Sequence, residues 1–262
     1  MDLSRVSQTA ILTLICRAVE TEKDGSVFND PMAVLCLERL TSTASEKDKR
    51  WIIREKRIYE GIQAHHTRSG ARRVKAFDNA ANRFIADNPE CTVVNLACGF
   101  DTRFWRIENE KCNYLELDLP EVVQLKKEIL KDHLAYEIIG GSVLDTSWID
   151  KVTRRGNTGF LLLAEGLFPW IPRQDAIGLL REIGGRFSRS QLVLDMIPEK
   201  YLKGIWKHIL RLEKKIVWGF DVPWAFAIKD PHDLEAYGKG LRVIGEEEGG
   251  AGPIITVSIN AA

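Results

Sequence analysis

The chain has 262 residues, of which 45% are hydrophobic and 28% are charged. These are ordinary proportions for a globular protein, and they exclude disorder along the whole chain. Lysine and arginine (37) balance aspartate and glutamate (37), so no overall positive charge favours binding to a nucleic-acid backbone.

Helical patterns without strands occupy about the first 70 residues. Apolar residues at three-to-four spacing over residues 3–20 predict an amphipathic helix. Asn29-Asp30-Pro31 places a capping side chain before a proline and predicts a helix over residues 32–40. A polar stretch, residues 41–50, precedes a third predicted helix over residues 51–66.

Beyond residue 91, short apolar runs alternate with helical patterns. The predicted strands are residues 93–96, 114–117, 136–139, 160–164, 191–195 and 254–259. Prolines open two of the helices between them, at residues 121–131 and 173–183. This alternation predicts an α/β fold with a doubly wound, mostly parallel sheet. Residues 201–218 read as a basic amphipathic helix, and Glu246-Glu247-Glu248 as an exposed acidic loop.

The cysteines and the N-terminal residues bear on the cellular location of the protein. Five cysteines are odd in number and form no C-x-x-C pair, which argues against a disulfide framework and a zinc cluster. The first residues lack a signal-peptide core, and no uncharged run approaches the roughly 18 to 20 residues that span a bilayer. We therefore expect a cytoplasmic protein that acts neither on nucleic acid nor at a membrane.

Ligands of a doubly wound sheet bind beyond the carboxyl ends of its strands. There the first strand leads into Ala97-Cys98-Gly99, small residues that let a backbone approach a ligand, although an ordinary tight turn is the alternative. The second strand ends in Asp118, where a carboxylate suits a ribose diol, with a helix N-cap as the alternative. Residues 140–145 offer a small apolar wall for a flat ring.

The fourth strand ends in Glu165, directly after a fully apolar run. A buried carboxylate needs a partner, because an unpaired buried charge costs on the order of several kcal/mol. The turn holds one glycine where a dinucleotide normally needs three, and S-adenosylmethionine carries an amino-acid end in place of phosphates. These features favour S-adenosylmethionine as the cofactor.

Five segments in order resemble motifs of the leucine carboxyl methyltransferase family, particularly its tetracenomycin polyketide synthesis O-methyltransferase-like branch. They span about residues 28–185 and are Asn29-Asp30-Pro31-Met32-Ala33, Arg73-Val74-Lys75-Ala76-Phe77-Asp78, residues 95–106, residues 116–122 with Lys126, and residues 164–172. The resemblance implies a class I, Rossmann-like, S-adenosylmethionine-dependent O-methyltransferase. Such an enzyme transfers a methyl group to a carboxylate or hydroxyl of a small-molecule acceptor by in-line displacement.

The resemblance also implies roles for particular residues. Arg73 would bind the carboxylate of the donor, Asp118 its ribose hydroxyls, and Glu165 its ammonium group or the loop near it. The further donor contacts that it implies are Ala97, Cys98, Gly99, Leu119, Ser142 and Val143. Residues 1–70 would form a helical lid over the acceptor, and residues 71–262 the donor-binding domain, with a helical insertion around 198–218 in the same structural unit.

Two residues depart from the pattern of the family. Ala97 replaces the usual glycine, and its methyl group is tolerable only if the local φ is negative. Trp170 replaces the usual tyrosine, and an indole cannot act as a hydrogen-bond acceptor or an acid as a phenol can, so the acceptor site is expected to differ. Trp170, Phe168 and Tyr59 are candidate acceptor contacts, with Trp51 beside them, although helix-core packing explains Trp51 and Tyr59 equally well.

The sequence assigns no catalytic residue and no metal ligand. Positioning alone can accelerate methyl transfer through effective molarities of roughly 10⁵ to 10⁸ M. A carboxylate acceptor is already a nucleophile, whereas a phenol, with a pKa near 10, needs a base. His65-His66 would be that base or an exposed helix end, and Cys98 a small wall residue or a nucleophile. A nicotinamide-dependent oxidoreductase and a non-catalytic protein that binds S-adenosylmethionine or S-adenosylhomocysteine stay open as alternatives.

Overall fold

The computed structural model describes residues 5–61, 64–154, 159–206, 208–209, 224–250 and 252–260, with only the backbone at residues 5–7 and 64–66. Its helices are α1 (Arg5–Thr21), α2 (Pro31–Thr43), α3 (Glu46–Glu60), α4 (Ala64–Asp87), α5 (Pro120–Leu130), α6 (Ser147–Thr153) and α7 (Arg173–Arg186). Its strands are β1 (Thr92–Leu96), β2 (Asn113–Asp118), β3 (Glu137–Gly140), β4 (Phe160–Ala164), β5 (Ser190–Asp195), β6 (Leu241–Glu248) and β7 (Pro253–Ile259).

The strands form one sheet in the order β3-β2-β1-β4-β5-β7-β6. Strands β1 to β5 are parallel, and β7 runs antiparallel between β5 and β6. The predicted doubly wound, mostly parallel sheet is thereby confirmed. Strand order reverses between β1 and β4, so the residues that follow these two strands and β2 lie where such sheets bind ligands.

The prediction of an acidic loop at residues 246–248 is wrong, because these residues end β6. Glu246 pairs with Ile255 and Glu247 with Ile254 of β7. β6 is the edge strand, and exposed residues alternate with less exposed ones along it. Charged side chains on the outer face of an edge strand discourage pairing with other chains, and they also hide the strand from a search for apolar runs.

The helical patterns of the N-terminal region differ from the structure at one boundary. Asp30 caps α2 as predicted, and its Oδ1 accepts a hydrogen bond of 3.0 Å from the Ala33 N–H. The predicted helix over residues 51–66 is instead divided between α3 and α4. Ser45 starts α3 earlier because its hydroxyl accepts a hydrogen bond from the Asp48 N–H. Most of the predicted basic helix over 201–218 lies outside the described residues.

The helices pack on both sides of the sheet. α6 and α7 share a buried cluster with β1, β2, β4, β5 and β7, while α4 covers the opposite face. α1, α2 and α3 form a third cluster together with Phe100 and the buried face of α5. The helical N-terminal region is therefore packed directly on the segment that follows β1. No helix in the described part of the chain is long and apolar enough to cross a membrane.

Candidate active site

The turn after β1 holds two residues with left-handed backbone conformations. Ala97 has φ +50° and Gly99 has φ +54°. The expectation of a negative φ at Ala97 is therefore wrong, and a non-glycine residue in this region costs about 1–2 kcal/mol. At Gly99 a Cβ atom would lie 3.1 Å from the Cβ of Ala10 in α1, so glycine there also allows α1 to approach.

Asp118 at the end of β2 is hydrogen-bonded to this turn. Its Oδ2 accepts from the Gly99 N–H at 2.6 Å, and its Oδ1 accepts from the Leu119 N–H at 2.7 Å. It does not cap α5, because the N-cap is Leu119 and no side chain caps the helix. Burial raises the pKa of Asp118, and the two N–H groups only partly offset it. The N-cap alternative is therefore wrong.

The segment after β3 places a small apolar surface beside Asp118. The Gly141 N–H donates to the Asp118 carbonyl at 2.8 Å, which fixes the start of the segment. Ser142 is half-buried, whereas Val143 is buried and its carbonyl accepts a 3.0 Å hydrogen bond from Trp148 Nε1. Leu144, which belongs to the apolar wall that the sequence predicts at residues 140–145, is 42% exposed.

Glu165, at the end of β4, lies between two arginines. Its Oε1 accepts from Arg73 Nε at 3.0 Å, and its Oε2 accepts from Arg103 Nη2 at 2.6 Å. Burial alone would raise the pKa of Glu165, but the two guanidinium groups lower it. Asp195, at the end of β5, accepts from the Gly166 N–H at 2.5 Å and lies 3.5 Å from Arg73 Nη1. The structure thus brings the predicted site residues Arg73 and Glu165 into contact, and it places Asp195, which was not predicted, in the same group.

Arg103 lies at the centre of a group of buried charges next to the carboxyl ends of these strands. Its side chain has no exposed surface, and it donates to Asp78 at 2.7 Å, to Asp101 at 2.5 Å and to Glu165. Burial alone would lower the pKa of Arg103, but the three carboxylates raise it well above its ordinary value. Since each guanidinium edge has an anionic partner, Arg103 fixes the carboxylates of three separate segments in one arrangement.

Asp30 connects the helical N-terminal region to the same charges. Its Oδ2 accepts 2.6 Å hydrogen bonds from Thr102 Oγ1 and from Arg106 Nη1. Arg106 also donates to Asp78 at 2.7 Å. From α1, Arg17 donates to the Phe100 carbonyl at 2.7 Å. The start of α2 and the middle of α1 are therefore attached to the segment after β1.

A second buried ion pair lies beneath the turn. Lys126 of α5 donates to Glu116 Oε2 and to the Asp101 carbonyl, both at 2.6 Å. The Cys98 thiol donates to Glu116 Oε2 at 3.4 Å. Burial and the Glu116 carboxylate raise the pKa of Cys98 well above its ordinary value. Cys98 therefore contributes a protonated thiol to the wall of the turn.

The candidate acceptor contacts lie in three different surroundings. Phe168 is fully buried in the cluster under α7, and Tyr59 is 3% exposed in the cluster of α1 to α3. Trp170 is half-buried, and its ring centroid lies 6.2 Å from that of Trp224. Tyr201 lies 6.3 Å from Trp224, so these three rings form an aromatic group after β4 and β5. The side chains of His65-His66 lie outside the described residues.

Sequence reasoning quoted several of these residues without giving them a role. Arg103 and Asp101 stand inside the motif after β1, and Asp78 inside the motif of α4. For Arg103 and Asp101 the available signal was charge within a largely apolar segment, since buried charges require partners. Asp195 could have been found as the polar end of a predicted apolar strand, by the reasoning applied to Glu165.

Comparisons with known proteins agree with this geometry. The family model described as "Leucine carboxyl methyltransferase" matches residues 10–184. The tetracenomycin polyketide synthesis O-methyltransferase TcmP of Streptomyces glaucescens is 26% identical over 241 residues, which cover 92% of this chain and 82% of TcmP. The S-adenosyl-L-methionine-dependent methyltransferase dpfgK of Gibberella zeae is 23% identical over 247 residues, covering 92% of this chain and 81% of dpfgK.

Solved structures match the fold. An O-methyltransferase family protein from Burkholderia thailandensis superposes with a TM-score of 0.51 at 14% identity, covering 97% of this chain and 84% of that chain. The mitomycin 7-O-methyltransferase MmcR gives a TM-score of 0.50 at 17% identity, covering 96% of this chain and 67% of MmcR. The comparisons confirm the predicted class I fold and S-adenosylmethionine-dependent O-methyltransferase activity, and the chain belongs to the leucine carboxyl methyltransferase family.

Proposed function

We propose that this enzyme methylates a carboxylate or hydroxyl oxygen of a small organic acceptor, with donor and acceptor at neighbouring parts of one sheet edge. The donor side comprises the residues after β1, β2 and β3, together with the charged group of Arg73, Glu165 and Asp195. The acceptor side comprises the aromatic group of Trp170, Tyr201 and Trp224 after β4 and β5. The similarity to TcmP, a polyketide O-methyltransferase by name, supports a small-molecule acceptor.

The Asp118 carboxylate is the observation that carries the donor assignment. A carboxylate has about four acceptor positions on its two oxygens. The N–H groups of Gly99 and Leu119 use one position on each oxygen, so one position on each is left for the two hydroxyls of a ribose. Because the same N–H groups hold the carboxylate in place, little ordering is required when the donor binds.

The neighbouring residues suit the rest of S-adenosylmethionine. Ser142 and the exposed side chain of Leu144 offer a mixed polar and apolar surface beside Asp118 for an adenine ring. Arg73 keeps about a quarter of its side chain exposed between Glu165 and Asp195, so this group of charges can bind both ends of an amino acid. When bound, S-adenosylmethionine supplies an electrophilic methyl group on a positively charged sulfur.

The chain contributes chiefly by orientation. The anionic side chains of Asp118, Glu165 and Asp195 end three strands of one sheet, so a cationic ligand is held against fixed charges. The indole of Trp170 provides a flat apolar surface against which an acceptor ring can stack. Holding the acceptor oxygen near the methyl group is the step that can lower the barrier, by about 7–11 kcal/mol in favourable cases.

The test begins with calorimetric titration of S-adenosylhomocysteine into the wild-type protein and into Asp118→Asn. We expect the variant to lose at least about 100-fold in affinity, because two hydrogen bonds to a charged acceptor are each worth about 1.5–3 kcal/mol. Glu121→Gln, an exposed carboxylate in the first turn of α5, is the matched control and should bind as the wild type does. Thermal melting verifies that both variants fold.

The second stage identifies the acceptor oxygen. S-adenosylmethionine with a labelled methyl group is incubated with a library of carboxylic acids and phenols, and each labelled product is treated with mild base. A methyl ester releases labelled methanol, whereas a methyl ether keeps its label. Tight binding of S-adenosylhomocysteine without transfer to any acceptor would favour the non-catalytic alternative. An absence of binding by the folded protein would contradict the donor assignment itself.

A further inference from the structure

Cys91 and Cys112 occupy matching positions at the amino ends of two adjacent parallel strands. Thr92 of β1 pairs with Asn113 of β2, so each cysteine directly precedes a member of the first pair. The Cys91 carbonyl accepts a hydrogen bond of 2.9 Å from the Asn113 N–H, which holds the two chains together at this point. Neighbouring strands lie about 4.8 Å apart, within the range of about 4.4–6.8 Å between the Cα atoms of a disulfide.

The two side chains point to the same side of the sheet. Cys91 is buried in the cluster between α4 and the sheet, and Cys112 packs against that same cluster. Both cysteines are free, and the Cys112 thiol donates to the Asn109 carbonyl just before β2. The two thiols therefore share one side of the sheet on adjacent strands, where the strand spacing suits a disulfide.

The two thiols differ in reactivity. Cys91 is fully buried and Cys112 is half-buried. The neighbouring Cys91 thiol lowers the pKa of Cys112, whereas Cys112 and burial raise the pKa of Cys91. Among the other cysteines, burial raises the pKa of Cys16 to about 12, that of Cys36 to about 11, and that of Cys98 well above its ordinary value. Cys112 is thus the cysteine best suited to react as a thiolate.

We propose that Cys91 and Cys112 form a reversible disulfide when the protein meets a peroxide. The Cys112 thiolate attacks one peroxide oxygen, so that an S–O bond forms, the O–O bond breaks and hydroxide leaves as water. The Cys91 sulfur then loses its proton and attacks the Cys112 sulfur, so that the S–S bond forms and a second water leaves. The two thiols lose two electrons in total, and one hydrogen peroxide is reduced to two waters.

The disulfide lies at the end of the sheet opposite to the proposed donor site. β1 runs from Thr92 to Leu96 before it reaches the turn of Ala97 and Gly99, and five residues of a strand span about 17 Å. We therefore expect the affinity for S-adenosylhomocysteine to change by less than about twofold on oxidation. The melting temperature should rise, because the disulfide restricts the unfolded chain between the two cysteines.

The experiment uses the full chain, reduced and then treated with hydrogen peroxide; the peroxide is removed, the protein is denatured, and every free thiol is blocked with N-ethylmaleimide. The expected product carries three maleimides instead of the five of the reduced protein. Peptide mapping should find residues 91 and 112 in one cross-linked fragment, and dithiothreitol should restore all the thiols. Cys112→Ser and Cys91→Ser should each lose the cross-link, while Cys36→Ser, a buried cysteine elsewhere, should keep it.

A chemical trap tests the order of the two steps. In Cys91→Ser, or in Cys91→Ala if the serine variant melts at a lower temperature, dimedone should label Cys112 as a sulfenic acid after peroxide treatment. The proposal is overturned if the wild-type protein keeps all its thiols under peroxide. It is equally overturned if the cross-link survives in Cys112→Ser or joins a different pair.

Discussion

The donor and acceptor sides of the sheet edge differ in how their side chains are held. On the donor side, Asp118 is fixed by backbone N–H groups, and Glu165 by two arginines. On the acceptor side, Trp170 has ring contacts with a segment that lies far away in the sequence. The donor side is thus built from short motifs and fixed charges, whereas the acceptor side depends on apolar packing between distant segments. A rigid donor site beside an adaptable acceptor site suits enzymes that share one cofactor and differ in their acceptors.

The largest expected effect concerns the buried charges behind the donor side. Arg103→Met removes one cationic partner from each of three buried carboxylates, which keep only their bonds to Arg106 or Arg73, and should lower the free energy of unfolding by about 3–5 kcal/mol. Urea denaturation followed by circular dichroism measures the change. Arg83→Met, which removes an exposed ion pair with Glu247, is the control and should cost at most about 1 kcal/mol. An equal loss of unfolding free energy in the two variants would mean that the buried contacts of Arg103 stabilise the protein no more than an exposed ion pair does.

The next effect is a pH dependence confined to the donor side. Burial raises the pKa of Asp118, and under the proposed donor assignment the ionised carboxylate is the form that would accept two ribose hydroxyls. Affinity for S-adenosylhomocysteine should therefore be full above this pKa and fall as the pH drops through it, starting above the ordinary aspartate value of about 3.9. Calorimetry across pH measures the decline. In Asp118→Asn every other group of the protein and of the ligand still titrates, so the affinity should lose only the pH dependence that Asp118 causes. The same pH profile in the variant and the wild type would contradict the assignment.

A smaller effect is expected on the acceptor side, and it should leave donor binding unchanged. Trp170→Ala removes an aromatic surface worth about 0.5–1.5 kcal/mol, so the KM of the acceptor should rise up to about tenfold. The affinity for S-adenosylhomocysteine should stay within about twofold of the wild-type value. Trp206→Ala, which removes a half-exposed ring that contacts Tyr201, is the matched control for the loss of an indole. A fall in donor affinity in Trp170→Ala would show that the two sides are not separable.

The smallest effect concerns the strained turn itself. Ala97→Gly should raise the free energy of unfolding by about 1 kcal/mol, because glycine adopts a φ of +50° without the steric cost that alanine pays. Ala86→Gly, on the exposed face of α4, should lower it by about 0.5–1 kcal/mol. Stability changes of opposite sign in the two variants, measured by thermal melting, would identify the left-handed conformation of Ala97 as the cause of its stabilisation by glycine. A destabilised Ala97→Gly would mean that the methyl group has a packing role that outweighs the strain.

The same contrast explains what the sequence could predict. β1, β2 and β4 are fully or almost fully buried, so their apolar runs identify them, and the donor motifs follow at once in the chain. β6 was missed because charged residues cover its outer face at the edge of the sheet. The left-handed φ of Ala97 could not be predicted, since alanine rarely adopts it and only the packing of the turn imposes it. The partners of Arg103 come from three segments, which only the folded chain brings together.

The contact between α1 and the turn after β1 has a consequence for the timing of catalysis. A Cβ on Gly99 would lie only 3.1 Å from the Cβ of Ala10, and Arg17 donates a hydrogen bond to the carbonyl of the next residue, Phe100. If the nucleoside binds at that turn as proposed, this helix would cover it, and its exchange with solvent would require the helix to move and the bonds of Asp30 to Thr102 and Arg106 to break. We therefore expect departure of the spent donor, rather than breaking of the carbon–sulfur bond, to set the pace of turnover.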